Sequence, residues 1–247
     1  LVLGGLAALA LGCASHKENV VKDAGPEALY DRGSNMMRGA NYQGAIQNFL
    51  QLESRYPFSP ETRQAQLDLI YAYYKSNQPE AAIDAAEQFE RENPTHPRVD
   101  YALYMRGLVY FDQAPNILEK MFHVDMTARP PKDSLKAFST FQELIRRFPN
   151  SEYVPDAQER MVFLRNRLAS SENHVATSYM RRGAYVAAAN RAKYALEHYP
   201  GAPELQDTLQ LLVQAYQALG MNDLAADAQR VYDSNFGPRA ATADLND

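Results

Sequence analysis

The sequence predicts an all-α protein, and three features of the chain support this prediction. Its 247 residues include 16 Tyr and 10 Phe but no Trp and only 12 Gly, a composition that favours packed helices over a turn-rich β-architecture. Small residues, bulky residues and prolines recur at fixed spacings. One long stretch, 156–182, contains neither Gly nor Pro, which predicts a single helix of about 27 residues.

The first copy of the repeating pattern defines its register. Gly33, Ala45, Phe49 and Pro57 are separated by 12, 4 and 8 residues. This spacing is typical of tetratricopeptide repeats, in which small residues let two helices approach closely and a proline ends the second helix. We therefore interpret the chain as a series of helix pairs that bury their apolar faces by stacking on one another.

Four further copies follow, with one interruption and one degenerate end. The third copy carries an 18-residue insertion at about 112–129, and the fifth is degenerate, as expected of a terminal cap. The marker residues of these copies are Ile70, Ala82 and Pro94, then Gly107, Ala137, Phe141 and Pro149, then Ala188, Ala192 and Pro200, then Val213 and Ala225. The prediction is a superhelix of five tetratricopeptide repeats, about ten helices, with repeats near 26–59, 60–96, 97–150, 151–201 and 202–236.

The segment before the repeats predicts a lipid anchor. Residues 1–12 are apolar or glycine, too few to span a bilayer, which needs about 20 residues, but suited to the core of a secretory signal peptide. Residues 10–13, Ala-Leu-Gly-Cys, resemble a bacterial lipobox, so we expect Cys13 to be acylated; the alternative is a structural cysteine. Ala14 follows, and by resemblance to enterobacterial sorting it indicates the outer membrane. Residues 13–25 are expected to form a lipidated tether and 237–247 a disordered tail.

The sequence offers no basis for catalysis. A single cysteine excludes an internal disulfide and a multi-cysteine zinc site, and no nucleotide-binding, zinc-protease or serine-hydrolase motif occurs. The five His residues have no partner at metal-ligand spacing. The net charge of -5 argues against nucleic acid as the main partner. We predict a protein that is not an enzyme and uses no cofactor or metal.

Several longer motifs resemble one family. They are RYPF at 55–58, QLDLIYAYYK at 66–75, NPTHP at 93–97, YMRGL at 104–108, FPNSEY at 148–153 and RGAYVAAANR at 182–191. Together they resemble the BamD family, the lipoproteins of the β-barrel assembly machinery in Gram-negative outer membranes. One departure is Arg129-Pro130-Pro131, where an acidic residue between Arg and Pro is expected.

The resemblance implies a location and a set of partners. It implies lipid anchoring at the periplasmic face of the outer membrane and contact with BamA and other assembly lipoproteins. It also implies recognition of unfolded barrel precursors. The alternative is a periplasmic repeat lipoprotein that scaffolds envelope or cell-wall enzymes.

Two surfaces are candidates for binding. Counting from the glycine position of each first helix predicts an aromatic groove in the first three repeats, whereas the last two repeats are polar at these positions. Its lining would be Tyr30, Met37, Leu67, Tyr71, Tyr74, Tyr104, Leu108 and Phe111. Some of these side chains are alternatively expected to pack against the adjacent helix. Tyr56 and Phe58 would form the rim of the groove or, alternatively, a structural plug between repeats.

The second candidate surface is basic. Between 146 and 193 the chain holds nine Lys or Arg and four acids, a net +5, whereas from 194 onward eight acids and two arginines give -6. We predict partner docking through Arg181, Arg182, Arg191 and Lys193, the last two projecting from a smooth surface of alanines (187, 188, 189, 192 and 195). The alternative for Arg191 is a local salt bridge with Glu197 or Glu172.

Overall fold

The repeats are observed as helix pairs. The computed structural model describes residues 25–113 and 132–237, and within these ranges the chain forms ten helices and no strand. They are α1 (Pro26–Arg38), α2 (Tyr42–Arg55), α3 (Pro60–Lys75), α4 (Pro79–Glu92), α5 (Val99–Gln113), α6 (Lys132–Arg147), α7 (Val154–Arg181), α8 (Tyr185–His198), α9 (Leu205–Ala218) and α10 (Asn222–Phe236). The predicted all-α superhelix of five tetratricopeptide repeats is confirmed.

Some predicted segments lie outside the described residues. These are the signal peptide with Cys13, the tether before Gly25, most of the insertion and the tail after Gly237. Asp112 and Gln113, the first residues of the predicted insertion, lie in the last turn of α5.

Local side-chain chemistry sets the ends of the helices. Pro60 occupies the first turn of α3, where its missing N–H costs no hydrogen bond. Before it, Ser59 caps the helix by accepting a hydrogen bond from the backbone N–H of Thr62 at 3.1 Å. The Thr62 hydroxyl in turn donates to the carbonyl oxygen of Tyr56 at 2.6 Å. The connection between the first two repeats is therefore fixed by hydrogen bonds.

The helices form two layers. Each helix packs against the next one in the chain, and the first helices of neighbouring repeats also touch, namely α1 with α3, α3 with α5 and α7 with α9. Among the described residues, no two second helices make comparable contact. Because the first helices lie closer together, the stack curves around them, and they line its concave inner face. The second helices form the outer layer.

The pairing of a large side chain with a small residue, which we call the volume exchange, fixes the distance between the two helices of a repeat. A Cβ added at Gly33 would lie 2.4 Å from the Phe49 ring, and one added at Gly107 would lie 2.4 Å from the Phe141 ring. In the second repeat the large and small positions are reversed, since Ile70 stands at the glycine position and Ala86 at the phenylalanine position, both buried. Each of the first three repeats therefore places a large side chain of one helix against a small residue of its partner.

The long helix α7 joins the two halves of the superhelix. Its 28 residues agree with the helix predicted from the stretch without Gly or Pro. Leu164 packs in the core of the second and third repeats, Leu168 in a cluster with α8 and α9, and Ala176 in the core of the last two repeats. One helix thus takes part in three hydrophobic clusters, as expected of a brace.

The volume exchange predicts a compensating pair of substitutions. Phe141→Ala alone is expected to lower the free energy of unfolding by about 3–5 kcal/mol, because it leaves a cavity, and Gly107→Ile alone should destabilise because the ring occupies the space. The double variant reproduces the Ile70 and Ala86 pair. It should therefore recover at least about 1 kcal/mol relative to the sum of the single effects. Urea denaturation followed by circular dichroism measures this coupling; strictly additive effects would contradict it.

Candidate functional site

Tyrosine-to-aspartate hydrogen bonds connect successive first helices along the inner face. The Tyr30 hydroxyl on α1 donates to Asp68 on α3 at 2.9 Å. The Tyr74 hydroxyl on α3 donates to Asp112 on α5 at 2.5 Å. The Tyr104 hydroxyl on α5 donates to Asp156 on α7 at 2.8 Å. We call these three contacts the tyrosine–aspartate ladder, and it runs from the first repeat to the fourth.

The ladder keeps its hydroxyl groups protonated. Burial, followed by the hydrogen bond to Asp112, raises the pKa of Tyr74 to about 12, and burial with the hydrogen bond to Asp156 raises the pKa of Tyr104 to about 12. Burial also raises the pKa of Tyr30 and of Asp68. Because these hydroxyls are committed to internal acceptors, the tyrosines present mainly their rings to a ligand.

The structure places most predicted groove residues at the inner surface and corrects one of them. Tyr71 is 36% exposed and contacts Tyr42 edge to face at a centroid distance of 6.2 Å. Leu67 is only 2% exposed and belongs to the core with Ile70 and Leu103, so its assignment to the groove is wrong. α3 turns this side chain towards α5, where burial is more favourable. The remaining predicted residues, Tyr30, Met37, Tyr74, Tyr104, Leu108 and Phe111, are half-buried.

Sequence reasoning missed residues that the fourth repeat adds to this surface. Tyr153, immediately before α7, stacks on Tyr104 at a centroid distance of 4.6 Å and an interplanar angle of 17°. Phe163 on α7 is 39% exposed and meets Phe111 at 5.7 Å. The Arg160 guanidinium lies over the same Phe111 ring, 4.8 Å from its centre. Counting from the glycine position could not find Tyr153, because it precedes the helix; its place in the FPNSEY motif was the available signal.

Arg160 is held in place by Asp156. Its Nε donates to Asp156 Oδ2 at 2.6 Å, and the same carboxylate accepts the Tyr104 hydroxyl. Burial alone would raise the pKa of Asp156, but the hydrogen bonds from Arg160 and Tyr104 outweigh it and lower that pKa. The carboxylate is therefore ionised at neutral pH and orients both a cation and an aromatic ring at the inner surface.

The two predicted rim residues differ in their surroundings. Tyr56 is half-buried, and its backbone takes part in the connection between α2 and α3 through Leu52 and Thr62. Phe58 is 91% exposed, so it does not plug the space between repeats. An aromatic side chain held in water at this connection is available for contact with another molecule.

The predicted basic surface is exposed, but the alanine surface beside it is not. Arg181, Arg182, Arg191 and Lys193 are all exposed, and Arg191 Nη1 lies 3.1 Å from Glu172 Oε2. The other three have no ion pair with any described residue. Alanines 188, 189, 192 and 195 are buried because α8 packs them against α7 and α9. The prediction that they form a smooth docking surface is therefore wrong.

The open face of α8 carries other side chains. Val186 is 57% exposed and Tyr194 37% exposed, and the Tyr194 ring stacks on His198 at a centroid distance of 3.9 Å. Together with Arg191 and Lys193 they form a mixed cationic and apolar surface, which we call the α8 face.

Two further properties concern only the described part of the chain. Residues 25–113 and 132–237 contain no group of His, Cys, Asp and Glu side chains that could hold a metal ion. Over the same ranges, each helix is too short or too polar to cross a membrane.

Comparison with known proteins identifies the family. A family model described as "YfiO: Outer membrane lipoprotein" matches residues 22–231. "Outer membrane protein assembly factor BamD" of Neisseria meningitidis serogroup A is 43% identical over 225 residues, 91% of this chain and 84% of the relative. The protein of the same name from Vibrio cholerae is 39% identical over 235 residues, 94% of this chain and 97% of the relative.

Among solved structures, a tetratricopeptide repeat protein from Parabacteroides merdae covers 84% of this chain and 64% of its own at 17% identity, with a TM-score of 0.41. The family model and the two relatives each span nearly the whole superhelix. The chain therefore belongs to the family of outer membrane lipoproteins that includes the assembly factor BamD.

Proposed function

We propose that this chain is a non-enzymatic subunit of the machinery that assembles β-barrel proteins in the outer membrane. It is tethered to the periplasmic face through a lipid on Cys13, scaffolds BamA and other lipoprotein subunits, and recognises unfolded barrel precursors. The name shared by its relatives supports the assembly role. The observation that carries the proposal is the aromatic inner face, which changes to a polar face in the last repeats.

The inner face suits an extended segment of varied sequence. Aromatic rings bury large areas and tolerate different side chains, and the ladder fixes the ring positions before a ligand arrives, which lowers the entropic cost of binding. Unfolded barrel segments alternate apolar and polar residues, and the apolar ones would lie against Tyr71, Phe111 and Phe163.

Site-specific crosslinking tests this receptor role. A photoreactive side chain at Tyr71 or Phe163, both exposed, should capture an unfolded barrel precursor several times more efficiently than one at Gln214. Gln214 is an exposed position on the first helix of the last repeat, so it is a matched control. Equal capture at all three positions would contradict a receptor formed by the first repeats and the start of α7.

The α8 face is proposed to dock BamA. A guanidinium pairs with carboxylates through two parallel hydrogen bonds and is frequent among residues that dominate binding energy. In the pair between Arg191 and Glu172, the arginine side chain is 47% exposed and the glutamate side chain 16% exposed, so solvent reaches the guanidinium and weakens the pair. Arg191 is therefore free to exchange Glu172 for an acidic group of a partner.

Charge reversal at Arg191 separates docking from folding. Arg191→Glu should weaken binding to BamA by well over tenfold, while the melting temperature changes little. Glu172→Gln is the matched control, because it breaks the same internal ion pair but keeps the cation, and it should bind BamA at least as well as the wild type. An early-melting Arg191→Glu variant, or equal loss of binding in both variants, would assign Arg191 a structural role.

The anchor is tested by removing its thiol. Cys13→Ser should release the protein from membranes to the soluble periplasmic fraction, because acyl chains hold a protein at a bilayer through burial of their methylene groups. Its helical circular dichroism should be unchanged. The fractionation is performed in cells depleted of the partner subunits, so a variant that stays in the membrane would contradict the lipid anchor.

Purification from solubilised envelopes tests the assembly role as a whole. Recovery of BamA with this chain supports it. Recovery of cell-wall synthases without BamA would instead support a scaffold for those enzymes.

A further inference from the structure

A cleft opens in the outer layer, on the opposite side of the superhelix from the aromatic inner face. It lies between α2 and α4, its floor is formed largely by α3, and its volume is about 240 Å³. Its lining residues are Leu50, Glu53, Gln66, Leu69, Tyr73, Ala81, Asp84, Ala85, Gln88 and Phe89. This volume is below the roughly 300–1,000 Å³ of small-molecule sites, so it suits one side chain of a partner.

The cleft combines apolar walls with uncompensated negative charge. Glu53 stands on the α2 side and Asp84 on the α4 side, and no Lys, Arg or His lines the space. Glu53 accepts a hydrogen bond from Gln66 at 2.9 Å, but neither carboxylate forms an ion pair with a described residue. The whole of α4 is acidic, with five carboxylates and one arginine.

The next gap along the outer layer shows what such carboxylates bind. Between α4 and α6, Arg106 of α5 extends outward with its side chain only 15% exposed. Its guanidinium lies 3.6 Å from Glu90 and 3.3 Å from Glu143. It also lies 3.6 Å from Glu87. Arg147 of α6 also pairs with Glu90 and Glu143, so arginines of the chain itself fill this gap.

The repeat register makes the two gaps equivalent. Arg106 immediately precedes Gly107, and the residue that immediately precedes Ile70, at the same position of the second repeat, is Leu69. Glu90 lies eight residues after Ala82, just as Glu53 lies eight residues after Ala45. Of the three carboxylates around Arg106, the α2–α4 cleft keeps only the counterpart of Glu90, which is Glu53. Leu50 and Gln88 stand at the positions of Glu87 and Glu143, and Asp84 is a carboxylate that the filled gap does not have. The cleft therefore has two carboxylates and no arginine, and the space remains open.

We propose that this cleft binds an arginine side chain from an extended segment of a partner protein. The guanidinium would lie between Glu53 and Asp84, where it can pair with carboxylates in its planar geometry. Its methylene stem would lie along Leu50 and Leu69, as long cationic side chains do on apolar surfaces. The Tyr73 ring supplies an aromatic contact for the cation. An apolar residue next to the arginine would cover the exposed part of Leu50.

A short peptide tests the proposal directly. Acetyl-Leu-Arg-Leu-amide is titrated into the isotopically labelled protein, and backbone amide chemical shifts are followed by NMR. We expect shifts concentrated in α2, α3 and α4, and binding that weakens as salt is added. The citrulline version has nearly the same shape without the charge and should bind at least tenfold more weakly; the lysine version should also bind more weakly than arginine.

Variants of the cleft provide the second arm. Glu53→Gln combined with Asp84→Asn should weaken peptide binding at least tenfold without lowering the melting temperature, since neither carboxylate has an ion pair to lose. Glu159→Gln, an exposed carboxylate on α7, is the matched control and should bind as the wild type does. Leu69→Arg should abolish binding by filling the cleft from within, as Arg106 fills the neighbouring gap.

The charge-neutral variants decide the question even if Leu69→Arg fails to fold. Three results would overturn the proposal: shifts spread over all acidic surfaces, equal binding of the citrulline peptide, or unchanged binding in the Glu53→Gln and Asp84→Asn double variant. The groove and α8 face take no part in this test, so its failure leaves the proposed assembly function untouched.

Discussion

The close approach of the two helices within each repeat is the constraint on which the rest of the structure depends. At Gly33 and Gly107 an aromatic ring occupies the space of a side chain, which fixes how near the second helix can lie. Because that distance is set inside these repeats, their first helices can also touch those of neighbouring repeats, and the stack curves around them. A concave face exists only because this curvature accumulates over several repeats.

The same face must be rigid and yet accept varied ligands, and the tyrosine–aspartate ladder reconciles these demands. Tyr30, Tyr74 and Tyr104 use their hydroxyls to hold the next helix, so specific hydrogen-bonding groups are withdrawn from the ligand. Their rings remain exposed to a ligand, and an aromatic ring can bury apolar area against many different side chains. Contacts that stabilise the superhelix therefore also determine what kind of surface it offers.

Spacing in the sequence was enough to predict the repeats and the limits of α7, because both follow from local rules about small residues, prolines and helix length. Contacts between repeats could not be predicted in this way. The burial of Leu67 depends on which side of α3 meets α5, and the stack of Tyr153 on Tyr104 joins residues of different repeats. The alanines of α8 show the same limit, since a small residue suits a buried interface as well as an open one.

The two outer-layer gaps show how one position changes the character of a repeat surface. Burying Arg106 has a desolvation cost that Glu87, Glu90 and Glu143 offset, although the last two also pair with Arg147. Leu69 avoids that cost, but it leaves Glu53 facing a cleft without an internal cation. Because each repeat contacts mainly its neighbours, such a change alters one surface and leaves the inner face intact. The two layers can therefore acquire partners of different chemistry. The aromatic inner face suits segments of varied sequence, whereas the acidic outer cleft suits a specific cationic side chain.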